Sequence, residues 1–237
     1  MKSITLILAL AMGLVGCERS NSDKEVPADT QAPSTPTTEV SKLPRVVFLG
    51  DSLTAGYGVD ADQAFPALIG EALRKEGTPI DVVNAGQSGD TTAGGLRRIE
   101  WVLKQKPDIV VVGLGGNDAL RGQDLASSEQ NLREIVAKSR GAGAEVVLLG
   151  MLIPPNYGPE YTAKFKEIYP RVAKEMNVAL VPFLLEGVGG DPKLNQPDGI
   201  HPTAEGHERV AANVLPTLRE LLKRRASTQP ATAPAEH

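Results

Sequence analysis

Five short apolar runs, at 46–49, 80–83, 108–113, 145–149 and 178–181, alternate with stretches whose apolar residues recur every three or four positions. Continuous apolar runs bounded by glycine and polar residues suit strands that are covered on both faces. The intervening spacing is that of amphipathic helices: Phe65, Leu68, Ile69, Ala72 and Leu73 in the first, Leu96, Ile99, Val102 and Leu103 in the next. Leu125, Leu132, Ile135 and Val136 continue the pattern, as do Phe165, Ile168, Val172 and Met176, and a last helix from about Thr203 carries Val210, Val214, Leu218 and Leu221. Strand–helix alternation with right-handed crossovers predicts an α/β domain, a three-layer α/β/α sandwich around a five-stranded parallel sheet. Pro170 and Pro216 fall inside two of the helical patterns, where a ring in place of an N–H predicts a kink or a break.

The two ends read differently. Lys2 followed by an apolar stretch over 4–15 is too short to span a bilayer and has the form of an export signal, residues 1–16. It closes on Leu14-Val15-Gly16-Cys17, which resembles the bacterial lipobox and implies lipid attachment at Cys17; the alternative is a plain secretory signal that contains a cysteine. Cys17 is the only cysteine, so no internal disulfide can form. Residues 17–43 are rich in Ser, Thr, Pro and acidic residues and read as a flexible tether; 226–237 read as a disordered tail, leaving a folded domain at 44–225. The expected location is a bacterial envelope membrane, held by the lipid. Glu18 after the cysteine resembles lipoproteins of an outer membrane, facing the periplasm, if the cell has one. A net charge of -4 argues against nucleic acid as a partner.

Three polar clusters share an address. Gly50-Asp51-Ser52, Gly86-Gln87-Ser88 and Gly115-Gly116-Asn117-Asp118 each follow one of the first three strands, on the sheet edge where open α/β folds bind ligands. A fourth cluster, Asp198-Gly199-Ile200-His201, precedes the last helix. An aspartate three residues before a histidine can fix the ring tautomer and leave the other nitrogen free to accept a proton. Ser52 is then the candidate nucleophile, His201 the base and Asp198 its orienter. The backbone N–H groups of Ser52 and Gly86 and the side-chain amide of Asn117 are candidate oxyanion donors. Taken singly, each cluster is also ordinary turn chemistry. Asp51 reads as a brace for the nucleophile turn, Asp90 and Asp118 as loop carboxylates, and His207 as a surface residue of the last helix. No phosphate-binding loop occurs, 113–118 fails the dinucleotide fingerprint, and three histidines with one in the tail do not suggest a zinc site. No metal or cofactor is expected.

Together these four blocks resemble the SGNH (GDSL) hydrolase superfamily. The stretch 48–58 and Pro154-Pro155-Asn156-Tyr157-Gly158 further resemble its branch of bacterial thioesterase I, lysophospholipase and arylesterase enzymes. The resemblance implies a flavodoxin-like fold, no metal, the triad Ser52–His201–Asp198, and Ser52, Gly86 and Asn117 as oxyanion donors. It also implies that a loop at about 152–162 borders the acyl pocket, with Leu152, Ile153, Tyr157 and Tyr161 touching substrate. The implied activity is hydrolysis of acyl esters or thioesters, including lipid substrates, through an acyl-enzyme. A carbohydrate O-acetylesterase of the same superfamily, or a lipoprotein that kept the fold as a binding module, are the alternatives.

Overall fold

The computed structural model describes residues 43–228. The export signal, Cys17 and nearly all of the tether lie outside the described residues, as does the tail from 229 onward. Five parallel strands form one sheet in the order β2-β1-β3-β4-β5: β1 Arg45–Gly50, β2 Asp81–Gly86, β3 Ile109–Gly113, β4 Glu145–Leu149 and β5 Ala179–Val181. This is the flavodoxin-like order, whose direction of winding reverses at β1 and β3. Val46, Val47, Phe48 and Leu49 are fully buried, as the unbroken apolar run requires of a central strand.

Helices cover both faces. α2 (Phe65–Lys75) packs on α7 (Ala204–Thr228) on one side; on the other, α3 (Thr92–Leu103) packs on α5 (Leu125–Gly141), which packs on α6 (Pro159–Met176). Two short helices, α1 (Ser52–Ala55) and α4 (Gly116–Leu120), follow β1 and β3 directly. Phe48 meets Phe65 edge to face at 5.8 Å, joining β1 to α2. Among the described residues, no helix is long and apolar enough to cross a membrane.

Four local expectations change. β2 begins at Asp81 and runs to Gly86, three residues beyond the apolar run, because Asn84, Ala85 and Gly86 stay in register with Phe48, Leu49 and Gly50. α6 is continuous through Pro170 and α7 through Pro216. Both prolines face solvent, and so do Lys166 and Ala212 one turn earlier, so the carbonyls that lose an N–H partner lie on faces open to water. α7 also runs to Thr228, past the 225/226 boundary drawn from composition.

The fourth change concerns His207, which is buried at 1% exposure rather than on the surface. Its Nδ1 accepts the N–H of Phe65 at 3.3 Å, and its ring stacks on Phe65 at 6.3 Å. The imidazole therefore serves as the cap acceptor for α2, whose preceding residue, Ala64, has no side chain able to do so. Burial pushes its pKa down to about 4 from 6.5. Between those values the unfolded chain binds a proton that the folded chain refuses, so His207 weakens the fold progressively as pH falls through that window. In urea titrations, the wild type is expected to lose about 3 kcal/mol more than His207→Phe between neutral pH and about pH 4. Equal losses would contradict this assignment.

Candidate active site

Ser52 opens α1 immediately after β1, and Asp51 caps that helix: its Oδ1 accepts the N–H of Leu53 at 3.0 Å. The brace expected of Asp51 is therefore present. The carboxyl is 3% exposed, and desolvation raises its pKa from 3.8 to about 6 in spite of the Leu53 N–H and the nearby His201, which lower it. Asp51 Oδ2 also accepts the Asn117 amide at 3.3 Å, which links the turn after β1 to the turn after β3.

His201 arrives from 149 positions later in the chain, and its Nε2 lies 2.8 Å from Ser52 Oγ. Its Nδ1 lies 2.7 Å from Asp198 Oδ2, while Asp198 Oδ1 accepts the N–H groups of Ile200 at 2.9 Å and His201 at 3.0 Å. Those bonds pull the pKa of Asp198 down to about 2, the His201 backbone bond contributing most. A carboxylate held ionised beside Nδ1 assigns the ring proton to that nitrogen. Nε2 is then left to accept from the serine hydroxyl.

The oxyanion side departs from expectation at Gly86. That residue ends β2, and its N–H donates to Asn84 Oδ1 at 2.9 Å; a Cβ there would come within 2.2 Å of Ala55 N. Gly86 is glycine so that α1 can pack against the end of β2. It does not line the cavity, whereas Ser88 and Gly89 do. Because the strand outlasts its apolar run, the turn begins later and brings a different glycine to the site. Among the described residues the Gly89 N–H has no protein acceptor. The Ser-Gly-Asp turn at 88–90 held that signal in the sequence. Asn117 lines the cavity, its Nδ2 donating to Asp90 O at 3.0 Å as well as to Asp51, and Arg121 Nη2 joins the two loops by donating to Gly89 O at 3.0 Å and Asn117 Oδ1 at 3.3 Å.

Arg98, which carried no signal in the sequence, underlies this edge. Its Nε donates to Asp90 Oδ2 at 2.7 Å, and its Nη1 and Nη2 donate to the carbonyls of Ala85 at 2.7 Å and Gly50 at 2.9 Å. Asp118 is a buried structural acceptor, taking the N–H and hydroxyl of Thr92 and the hydroxyl of Ser128. Asp90 and Asp118 thus hold loops, as expected.

A cavity of about 610 Å³ opens beside Ser52 and His201, within the size range of small-molecule sites. Met151, Leu152, Ile153, Pro154, Phe183 and Leu185 give one side of it an apolar wall. Tyr157 and Tyr161 do not line it. Their hydroxyls donate instead to the carbonyls of Leu120 at 3.2 Å and Gln123 at 2.9 Å, so both rings are spent on anchoring the loop to the connection between α4 and α5.

Comparison with known proteins agrees with this arrangement. Residues 48–209 match the GDSL-like lipase/acylhydrolase family. Esterase TesA of Pseudomonas aeruginosa is 47% identical over 186 residues, 78% of this chain and 92% of its own length. Thioesterase 1/protease 1/lysophospholipase L1 of Escherichia coli K12 is 43% identical over 178 residues, 75% of this chain and 84% of its own. A crystal structure of TesA, 48% identical, superposes with a TM-score of 0.73 over 75% of this chain and 99% of that one.

Arg98→Ala strips the partner from a carboxylate whose side chain is only 7% exposed and removes a donor from each of two strand-end carbonyls. A loss of about 3–5 kcal/mol in urea denaturation is the expected result. A loss below about 1 kcal/mol, the range of exposed ion pairs, would show that solvent replaces the guanidinium.

Proposed function

Because the chain belongs to the GDSL-like lipase/acylhydrolase family and is a serine ester hydrolase, we propose that Ser52, His201 and Asp198 are its catalytic triad. Ser52 Oγ attacks the acyl carbonyl while His201 Nε2 takes the hydroxyl proton. The same nitrogen returns that proton to the departing alcohol or thiol, which leaves an acyl ester on Ser52. Water activated by His201 then attacks that ester, releasing the acid and restoring the hydroxyl. Asp198 stays ionised throughout, since its pKa lies near 2, and stabilises the imidazolium formed at each transfer.

Charge developing on the carbonyl oxygen meets the N–H of Ser52, the N–H of Gly89 in place of Gly86, and the Asn117 amide, which exchanges its 3.3 Å bond to Asp51 Oδ2 for the oxyanion. The acyl chain lies along the apolar wall that includes Leu152 and Ile153. The observation carrying this reading is the unbroken chain of hydrogen bonds from Asp198 through His201 to Ser52, 2.7 Å and 2.8 Å long, at the mouth of that cavity.

In the same reading the protein is exported and anchored to a bacterial envelope membrane through lipid on Cys17, its acyl ester or lipid substrate lying outside the cytoplasm. Cys17 lies outside the described residues, and the support is the resemblance of 14–17 to a lipobox. Cys17→Ser should move the protein from the membrane to the soluble fraction and abolish labelling by radioactive palmitate; persistent membrane association of that variant counts against the anchor.

Ser52→Ala should lower hydrolysis of p-nitrophenyl butyrate by at least about 10⁴-fold with an unchanged circular dichroism spectrum. Wild-type turnover in that variant would overturn the assignment. In the wild type, kcat/KM should fall as pH drops across the range from about 8 to about 5 where imidazoles take up protons, because a protonated ring cannot act as base. Asp198, titrating near pH 2, does not contribute to that limb, whereas the buried Asp51, with its pKa at about 6, also takes up its proton within it.

A further inference from the structure

The bonds that orient His201 say nothing about where Ser52 is. Asp198 Oδ1 and Oδ2 are satisfied by Ile200 and His201 alone, all within a span of four residues. The pair is a self-contained turn that keeps its internal geometry wherever the segment goes. The tip of the segment is exposed from Pro197 to Ile200, whereas its two ends, Asn195 and Pro202, are buried and bridged to each other, and Asn195 Nδ2 donates to Val188 O at 2.6 Å and Asp191 O at 2.8 Å. Those anchors tie the turn to 188–191 and not to the nucleophile turn, so a separate link must set His201 Nε2 at 2.8 Å from Ser52 Oγ.

Gln196 meets that requirement. Its backbone N–H donates to His201 O at 2.7 Å, and its side-chain Nε2 donates to Pro202 O at 3.0 Å, which clasps both ends of the turn. The other Nε2 hydrogen donates to Tyr57 O at 2.7 Å, 139 positions earlier in the chain. Tyr57 is built into the nucleophile turn, since its N–H donates to Ser52 O at 3.0 Å. Among the described residues, Gln196 to Tyr57 is the one hydrogen bond besides His201 to Ser52 that joins segment 194–203 to segment 52–58. Two further contacts follow the same seam. The Tyr57 ring lies 4.6 Å from that of His201, and a Cβ on Gly58 would come within 2.2 Å of Gln196 Oε1.

We propose that Gln196 is a positioning residue whose carboxamide, holding the Tyr57 and Pro202 carbonyls at once, sets the separation of His201 from Ser52. The inference rests on the triad proposed above. The residue type suits this role, since an amide nitrogen offers two hydrogens without a charge, whereas a glutamate offers only acceptors and a hydroxyl a single donor. Each hydrogen goes to a different catalytic loop.

Gln196→Met keeps the length and bulk and removes both donors; Gln196→Ala removes bulk as well. In assays with p-nitrophenyl butyrate, kcat is expected to fall about 10- to 100-fold in both variants while KM stays within about threefold, since misplacement near 1 Å costs on that order. The acidic limb of the pH profile should flatten, because less of the remaining rate runs through His201. On a His201→Ala background, Gln196→Met should change kcat by less than about twofold, as expected when one residue acts only through the other. Wild-type kcat in Gln196→Met would overturn the proposal. So would a full additional loss on the His201→Ala background, or a loss in Gln196→Ala that Gln196→Met does not share. If His201→Ala alone hydrolyses the ester at the wild-type rate, it is the triad that fails, a result distinct from each of these.

Discussion

The site is referenced to one row of the parallel sheet, where Gly50 at the end of β1 stands in register with Gly86 on one side and Gly113 on the other. Three adjacent strands stop together, so the turns that follow start from one line and stay within side-chain reach of each other. Ser52 lies two residues past that row, Gly89 three and Asn117 four. Because β1 and β3 bracket the reversal of winding, no crossover helix covers the space between their ends. Arg98 completes the row from beneath. The guanidinium donates to the strand-end carbonyls of Ala85 and Gly50, the latter also accepting the Gln87 N–H at 3.0 Å, while pairing with Asp90.

The carboxyls of the nucleophile turn and of the His201 turn are shifted in opposite directions. Asp198, partly exposed and accepting three hydrogen bonds, favours its charged form, and its pKa falls to about 2. Asp51, almost without solvent, favours its neutral form, and its pKa rises to about 6. Folding around an ionised Asp51 therefore costs stability above that pH. What is obtained is geometric: one carboxyl caps α1 through Leu53 and reaches Asn117, which couples the turn after β1 to the turn after β3. Such local cost beside a reactive group is a common feature of functional sites.

Connections inside the site differ in how they are secured. The oxyanion side is cross-braced by Asp90, Asn117 and Arg121, with the Asp90–Arg98 pair behind it. The base side is a short turn with an exposed tip, anchored at its ends by the buried Asn195 and Pro202 and tied to the nucleophile turn through Gln196 and the ring of Tyr57. The wall of the cavity is a third unit, anchored away from the site by the hydroxyls of Tyr157 and Tyr161. A turn that carries its own orienting carboxylate needs only correct docking, not correct internal assembly, for its imidazole to reach the serine.

Much of this was legible in the linear chain. Short apolar runs alternating with helical spacing dictate a parallel sheet with helices on both faces, because only that arrangement buries both patterns at once. The blocks at 50–52, 115–118 and 198–201 specify a serine, an amide and an aspartate–histidine pair through local residue types alone. Tertiary structure decided whatever depended on a partner distant in sequence. β2 outlasts its apolar run because β1 continues to offer it hydrogen bonds, and after that three-residue extension it is Gly89, not Gly86, that lines the cavity. His207 is buried because α2 lacks a cap of its own. Prolines in α6 and α7 are tolerated because the carbonyls they orphan face solvent. Hydrophobic periodicity reports which face of an element is covered, and it cannot report which polar group on another element will complete its hydrogen bonds. That second kind of information arises only when the chain folds back upon itself.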